Sequence, residues 1–149
     1  MHTVFDAAEA ETLRARFAKL TPDSPARFGK FTAPRMVCHL IDSYRDALGE
    51  NHVPHRKHVL SIPLLRWLVI DVLPFPRGAP TAPSYLTTQP EQWHEDCARW
   101  NMLFARLVER GGDAEATWGV HPAFGVMSPG MWGRLLHKHT AHHLAQFGA

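Results

Sequence analysis

The run Met131-Trp132-Gly133-Arg134-Leu135-Leu136-His137-Lys138-His139-Thr140-Ala141-His142-His143-Leu144-Ala145-Gln146-Phe147-Gly148 decides how this 149-residue chain is read. Trp132, Leu135, Leu136, His139, His143 and Gln146 recur at spacings of three and four, which predicts a helix with one buried stripe. Ser128 stands where an N-cap belongs, Pro129 is tolerated in the first turn, and Gly148 closes the helix. Two histidines therefore take stripe positions where leucine is expected.

Working outward, three more helices follow from the same periodicity. Leu13, Phe17 and Leu20 mark a first helix over about 6–20, capped by Asp6 and ended by Thr21-Pro22-Asp23-Ser24-Pro25. A second starts from Thr32, carries Pro34 in its first turn, runs to Leu48 and stops at Gly49. Its inner stripe is Met36, Leu40, Ser43 and Ala47, and His39 falls at the edge of that stripe, facing inward or a cleft. A third, from Pro90 to Arg110, repeats Trp93, Cys97, Trp100, Phe104 and Leu107 and ends at Gly111-Gly112. Between the second and third, a short apolar helix is expected over 64–73, and prolines 74, 76, 80 and 83 force an extended or looped crossing. Residues 116–127 read as loop or a strand-like segment. Four amphipathic helices with one long connection imply an all-α four-helix bundle with crossover topology, in a single domain over 1–149.

The chemistry lies in the stripe histidines. His139 and His143 stand one turn apart on one face, from which two imidazoles reach a single metal ion, and His39 is the inward-leaning histidine of another long helix. Three neutral imidazoles leave an ion its full charge and an open position, the arrangement of a catalytic site. The competing reading is ordinary: a pair one turn apart also arises by chance among eleven histidines, as core residues with separate hydrogen-bond partners. His137 is expected to point outward, His142 to lie on the flank of the stripe, His52, His55 and His58 to sit in a polar loop, and His94 to be exposed. His121, before Pro122, either lines the cleft or holds its loop by a backbone hydrogen bond, the structural role being favoured. Gln146 offers an amide to a ligand's second nitrogen or to a water. Asp42, the acid closest in sequence to a ligand, lies away from the inner stripe by wheel angle.

His139 to Gly148, together with Met36-Val37-Cys38-His39-Leu40, resembles the DinB-like superfamily of metal-binding bundles, also called YfiT-like, over nearly the whole chain. Its signature of one histidine on the second helix and a pair one turn apart on the last matches His39, His139 and His143. Pro76 to Pro83, His121-Pro122-Ala123-Phe124-Gly125 and the Gln-Phe-Gly ending look like a branch of unassigned function. The resemblance implies a crossover four-helix bundle, a homodimer, and a three-histidine site for zinc or nickel. It also implies, for some relatives, transfer or isomerisation with a low-molecular-weight thiol such as bacillithiol, mycothiol or glutathione, although none of the thiol-binding residues can be matched here.

Composition narrows the alternatives. The net charge is +2 and basic residues are scattered opposite acidic ones, so a nucleic-acid partner is not expected. The N-terminus turns acidic and helical at once, unlike a signal peptide, and the apolar run over 60–75 is too short and polar to span a bilayer. Cys38 and Cys97 lack metal or disulfide spacing and read as buried, reduced thiols, as a cytoplasmic location would have them. The expectation is a metal-dependent enzyme acting on a small molecule, with a thiol-dependent transferase or isomerase first. A non-catalytic metal-binding module and a metal-water hydrolase stand behind it.

Overall fold

The computed structural model describes residues 2–51, 58–78 and 80–149. Five helices form: α1 (Ala7–Phe17), α2 (Ala33–Ala47), α3 (Pro63–Trp67), α4 (Trp93–Arg110) and α5 (Pro129–Gln146). Among the described residues there is no strand, only an isolated bridge between His121 and Gly125. The expected caps hold: Asp6 accepts from Ala8 and Glu9 N–H, Thr32 from Arg35 N–H, and Ser128 from Met131 N–H. Two boundaries move inward, α1 ending at Phe17 and α4 beginning at Trp93, yet Leu20 still packs into the core from the turn that follows. The short apolar helix is α3, continued by a π-helical turn over Leu68–Val72.

α2 packs along α4 and faces α5, while α1 leans on both α4 and α5. One cluster of buried side chains joins them. At its centre Trp100 lies flat between Phe17, with ring centroids 3.7 Å apart, and Phe104, at 4.9 Å. The expected inner stripe of α2 is buried throughout. Burying aromatic rings of this size is a large favourable contribution against chain entropy.

The crossing between α3 and α4 positions the site. Arg134 of α5 pairs with the buried Asp71 at 2.5 Å, and the Lys138 ammonium donates to the carbonyls of Val69 and Ile70, both at 2.9 Å. Ile70 is 3% exposed and belongs to the core. Past the prolines, a 3-10 turn over Pro83–Leu86 lays Tyr85 against α2. No described helix is long and apolar enough to cross a membrane.

Candidate metal centre

His39 enters from α2, and His139 and His143 enter from consecutive turns of α5; all three are buried. Their rings form a near-equilateral triangle, with centroids 4.9, 4.7 and 4.8 Å apart and planes steeply inclined. His139 Nε2 lies 2.9 Å from His39 Nε2 and 3.1 Å from His143 Nε2. Nitrogens bound to one tetrahedral zinc ion stand about 3.3 Å apart, so three donors already converge at nearly ligand spacing.

The outer contacts decide the tautomers. His39 Nδ1 lies 3.1 Å from the Tyr85 carbonyl, which can only accept, so the ring proton is on Nδ1 and Nε2 presents a lone pair. Gln146 donates its amide N–H to the Phe28 carbonyl at 2.8 Å, which turns its Oε1 toward His143 Nδ1, also at 2.8 Å. His143 is thereby fixed as the same tautomer. Two lone pairs then face His139 Nε2, which carries one proton at most and can satisfy only one of them. A cation at the centre satisfies all three nitrogens, and the partners on the far nitrogens are those that orient metal-binding imidazoles.

Burial keeps the donors in their ligand state. It pushes His39 down to about 4 and His143 to about 3, while His139 falls well below the ordinary histidine value through burial and then the charges of His143 and His39. All three are neutral at physiological pH, so none carries a second ring proton that an ion would have to displace there.

The cluster opens onto a cavity of about 540 Å³, a size that suits a small molecule. Its wall is mainly aromatic and aliphatic. Phe75, from the crossing, stacks on His139 at 5.3 Å, and Phe31, from the turn before α2, packs against His39 and His143. Ser43, Gln146 and His121 are among the few polar groups of the wall, Lys30 is a cation of its rim, and no Asp or Glu is among the described lining residues.

A family model described as "Protein of unknown function (DUF1569)" matches residues 53–149. The chain belongs to this family. No curated protein and no solved structure matches it. The matched stretch holds His139, His143, Gln146 and His121, whereas His39 lies ahead of it on α2.

Around the three expected ligands, the remaining histidines sort themselves. His121 Nδ1 accepts from Ala123 and Phe124 N–H, as the loop-holding reading expects, and it also lines the cavity. His142 is half-buried between Phe28 and Phe75. His94 and His58 are exposed, and His52 and His55 lie outside the described residues. His137 does not simply face solvent: it is half-buried and bonds Glu9 of α1 at 2.9 Å, with His2 on the same carboxylate. Cys38 and Cys97 are free, and burial pushes their thiols up to about 12 and about 11, too high for a thiolate at neutral pH.

The largest departure from the wheel reading is Asp42, which is fully buried. Its carboxylate accepts from both N–H and both hydroxyl groups of Thr87 and Thr88, at 2.6–3.0 Å. Arg35 donates to the Leu86 and Thr88 carbonyls, and Asp46 accepts from the Tyr85 hydroxyl at 3.0 Å. Arg35, His39, Asp42 and Asp46 are spaced by four, three and four, so α2 carries a polar stripe beside its apolar one. That stripe clamps 85–88 and holds the carbonyl that orients His39. The spacing was visible in the sequence, but the partner segment was not.

Proposed function

We propose that this chain is a metal-dependent enzyme, in which His39, His139 and His143 hold one divalent zinc or nickel ion and a small thiol is the activated reactant. The observation that carries the reading is the convergence of three Nε2 atoms, two of them fixed as lone-pair donors, on one point in the wall of a cavity. Three nitrogens leave a coordination position toward the cavity, since among the described residues no fourth His, Cys, Asp or Glu joins the cluster. A divalent ion there supplies the Lewis acidity that lowers a thiol's pKa and makes sulfur a nucleophile at neutral pH. The chain's own residues orient the nitrogens, through the Tyr85 carbonyl and Gln146, and the aromatic wall keeps water from competing. No carboxylate is among the described lining residues to serve a metal-water hydrolase as its general base. The fold we assign is the DinB-like crossover bundle, with α1, α2, α4 and α5 as its four helices.

One observation favours a second reading. The three donors come from two helices, so an ion also cross-links α2 to α5 and could serve stability alone. Elemental analysis of untagged protein separates metal binding from its absence, with one zinc or nickel per chain expected. His39→Ala, His139→Ala and His143→Ala should each lose stoichiometric metal while His137→Ala keeps it. Addition of a small thiol to the nickel- or cobalt-substituted protein should then produce a sulfur-to-metal charge-transfer band. No uptake of metal overturns the site, and metal without thiol binding moves the structural reading ahead.

A further inference from the structure

The loop between α4 and α5 carries a second functional group on the same cavity. His121 N–H and carbonyl exchange hydrogen bonds with Gly125, and its Nδ1 accepts the Ala123 and Phe124 N–H groups, both at 3.1 Å. An acceptor for the N–H groups two and three residues ahead is the geometry of an Asx turn, which Asn or Asp makes with less bulk. Histidine makes the same two bonds and adds a second nitrogen on the far side of the ring. Because Nδ1 is committed as an acceptor, the proton of the neutral ring must sit on Nε2.

That Nε2–H has no hydrogen-bond partner among the described residues. The ring is wedged against Phe124 at 4.6 Å, Trp132 at 5.5 Å and Tyr85 at 5.9 Å, and it borders the cavity that the three inner histidines also line. We infer that His121 is a fixed neutral hydrogen-bond donor whose Nε2–H donates to a carboxylate or carbonyl oxygen of the molecule bound in the cavity. Burial also drives the imidazole down to about 3, so the group stays a neutral donor at neutral pH instead of trading protons. A donor prepaid in this way, aimed by backbone and packing, positions a substrate oxygen without reorganisation. The described rim and wall favour such an oxygen, since Lys30 is present and carboxylates are absent.

The inference rests on the cavity being the substrate site proposed above, and the test separates the two. In the zinc-loaded chain labelled with nitrogen-15, long-range proton–nitrogen correlations should show His121 as the Nε2–H tautomer at neutral pH; the Nδ1–H tautomer overturns the proposal. 3-Mercaptopropionate should bind about tenfold more tightly than propanethiol, the difference being one hydrogen bond to a charged oxygen. His121→Asn keeps the Asx turn through Oδ1, but on the shorter side chain its amide N–H groups end about one bond short of the Nε2 position, so it should erase that tenfold advantage while leaving propanethiol binding and metal content unchanged. Equal binding of the two thiols by the wild-type chain, or an advantage that survives in His121→Asn, overturns the donor role. If neither thiol binds, the thiol reading fails by itself, and butyrate, which has no sulfur, must still shift the Nε2–H resonance. No shift with butyrate or with butyramide overturns the inference; a shift with one and not the other says whether the oxygen is carboxylate or carbonyl.

Discussion

At Gln146 the two ends of one amide have separate jobs. The N–H end is anchored on the Phe28 carbonyl and the oxygen holds His143 Nδ1, so the choice of tautomer at a ligand depends on a residue that touches no ion. Gly29 makes this possible: its φ is +76°, and a Cβ there would collide with the Gln146 amide. Gln146→Leu should leave the fold standing and weaken zinc binding by about 10–100-fold in competition with a chromophoric chelator; unchanged affinity would mean that the amide does not orient the ligand. The buried imidazoles also predict the acid behaviour of the metal-free protein. His39, His121 and His143 sit near 4, 3 and 3 when folded against 6.5 when exposed, so the unfolded chain takes up protons first as pH falls. Their stabilising effect is complete above pH 6.5 and is lost as pH drops toward the folded values, each group contributing at most about 1.4 kcal/mol per pH unit. Asp46 works the other way, because burial raises it from 3.8 to about 6, and it offsets part of the loss between those values. Urea midpoints of chelator-treated protein should fall steeply below pH 6.5, and a flat profile would contradict the burial of the three rings.

Helix α2 shows how far periodicity reaches and where it stops. Its apolar stripe, its Thr32 cap and its Gly49 ending are local properties, and α5 announces itself in the same way, with His139 and His143 on the face that Trp132, Leu135 and Leu136 define. Three donors were legible because a polar residue on an apolar stripe contradicts the pattern unless something binds it. Asp42 and Asp46 carry no such contradiction: their partners, Tyr85, Thr87 and Thr88, come from a proline-rich segment some forty residues away whose docking no helical wheel contains. His137 was misplaced for the same reason, since Glu9 of α1 supplies its bond. The clamp can be tested apart from the ligands. Asp42→Ala strands the two N–H and two hydroxyl groups of Thr87 and Thr88, and should cost about 3 kcal/mol of unfolding free energy, read from urea denaturation. It should also lower metal affinity, because the Tyr85 carbonyl loses its fixed position beside His39. A large loss of stability with unchanged affinity would show that the clamp serves the fold alone.

Across the whole molecule, apolar surface is distributed unevenly. Of the large hydrophobic side chains that remain exposed, Val59, Ile62, Leu64, Trp67, Val72 and Leu73 come from fifteen consecutive positions around α3, each 44–68% exposed. A cluster of this kind is uncommon on a chain that works alone. The same segment is fastened to α5 through Asp71 and Lys138 and then supplies Phe75 to the ring of His139, so what covers it also bears on the cavity. We propose that a second copy of the chain covers it, giving a homodimer in which the patch meets itself about a two-fold axis. An apolar patch can be covered by the same patch of a second copy, and this two-fold arrangement is the commonest for soluble oligomers. Light scattering at micromolar concentration should return twice the chain mass. Trp67→Glu places a charge at the centre of the patch and should weaken association by about 30-fold or more, whereas Met102→Glu, on an exposed apolar position of α4 outside it, should not. Since Trp67 is half exposed and absent from the core, the monomer that results should keep its helical content and its stoichiometric metal. A wild-type monomer, or a Trp67→Glu chain that stays dimeric, refutes the pairing through this face and leaves the metal site untouched, because the Tyr85 carbonyl and the Gln146 amide that orient His39 and His143 belong to the same chain.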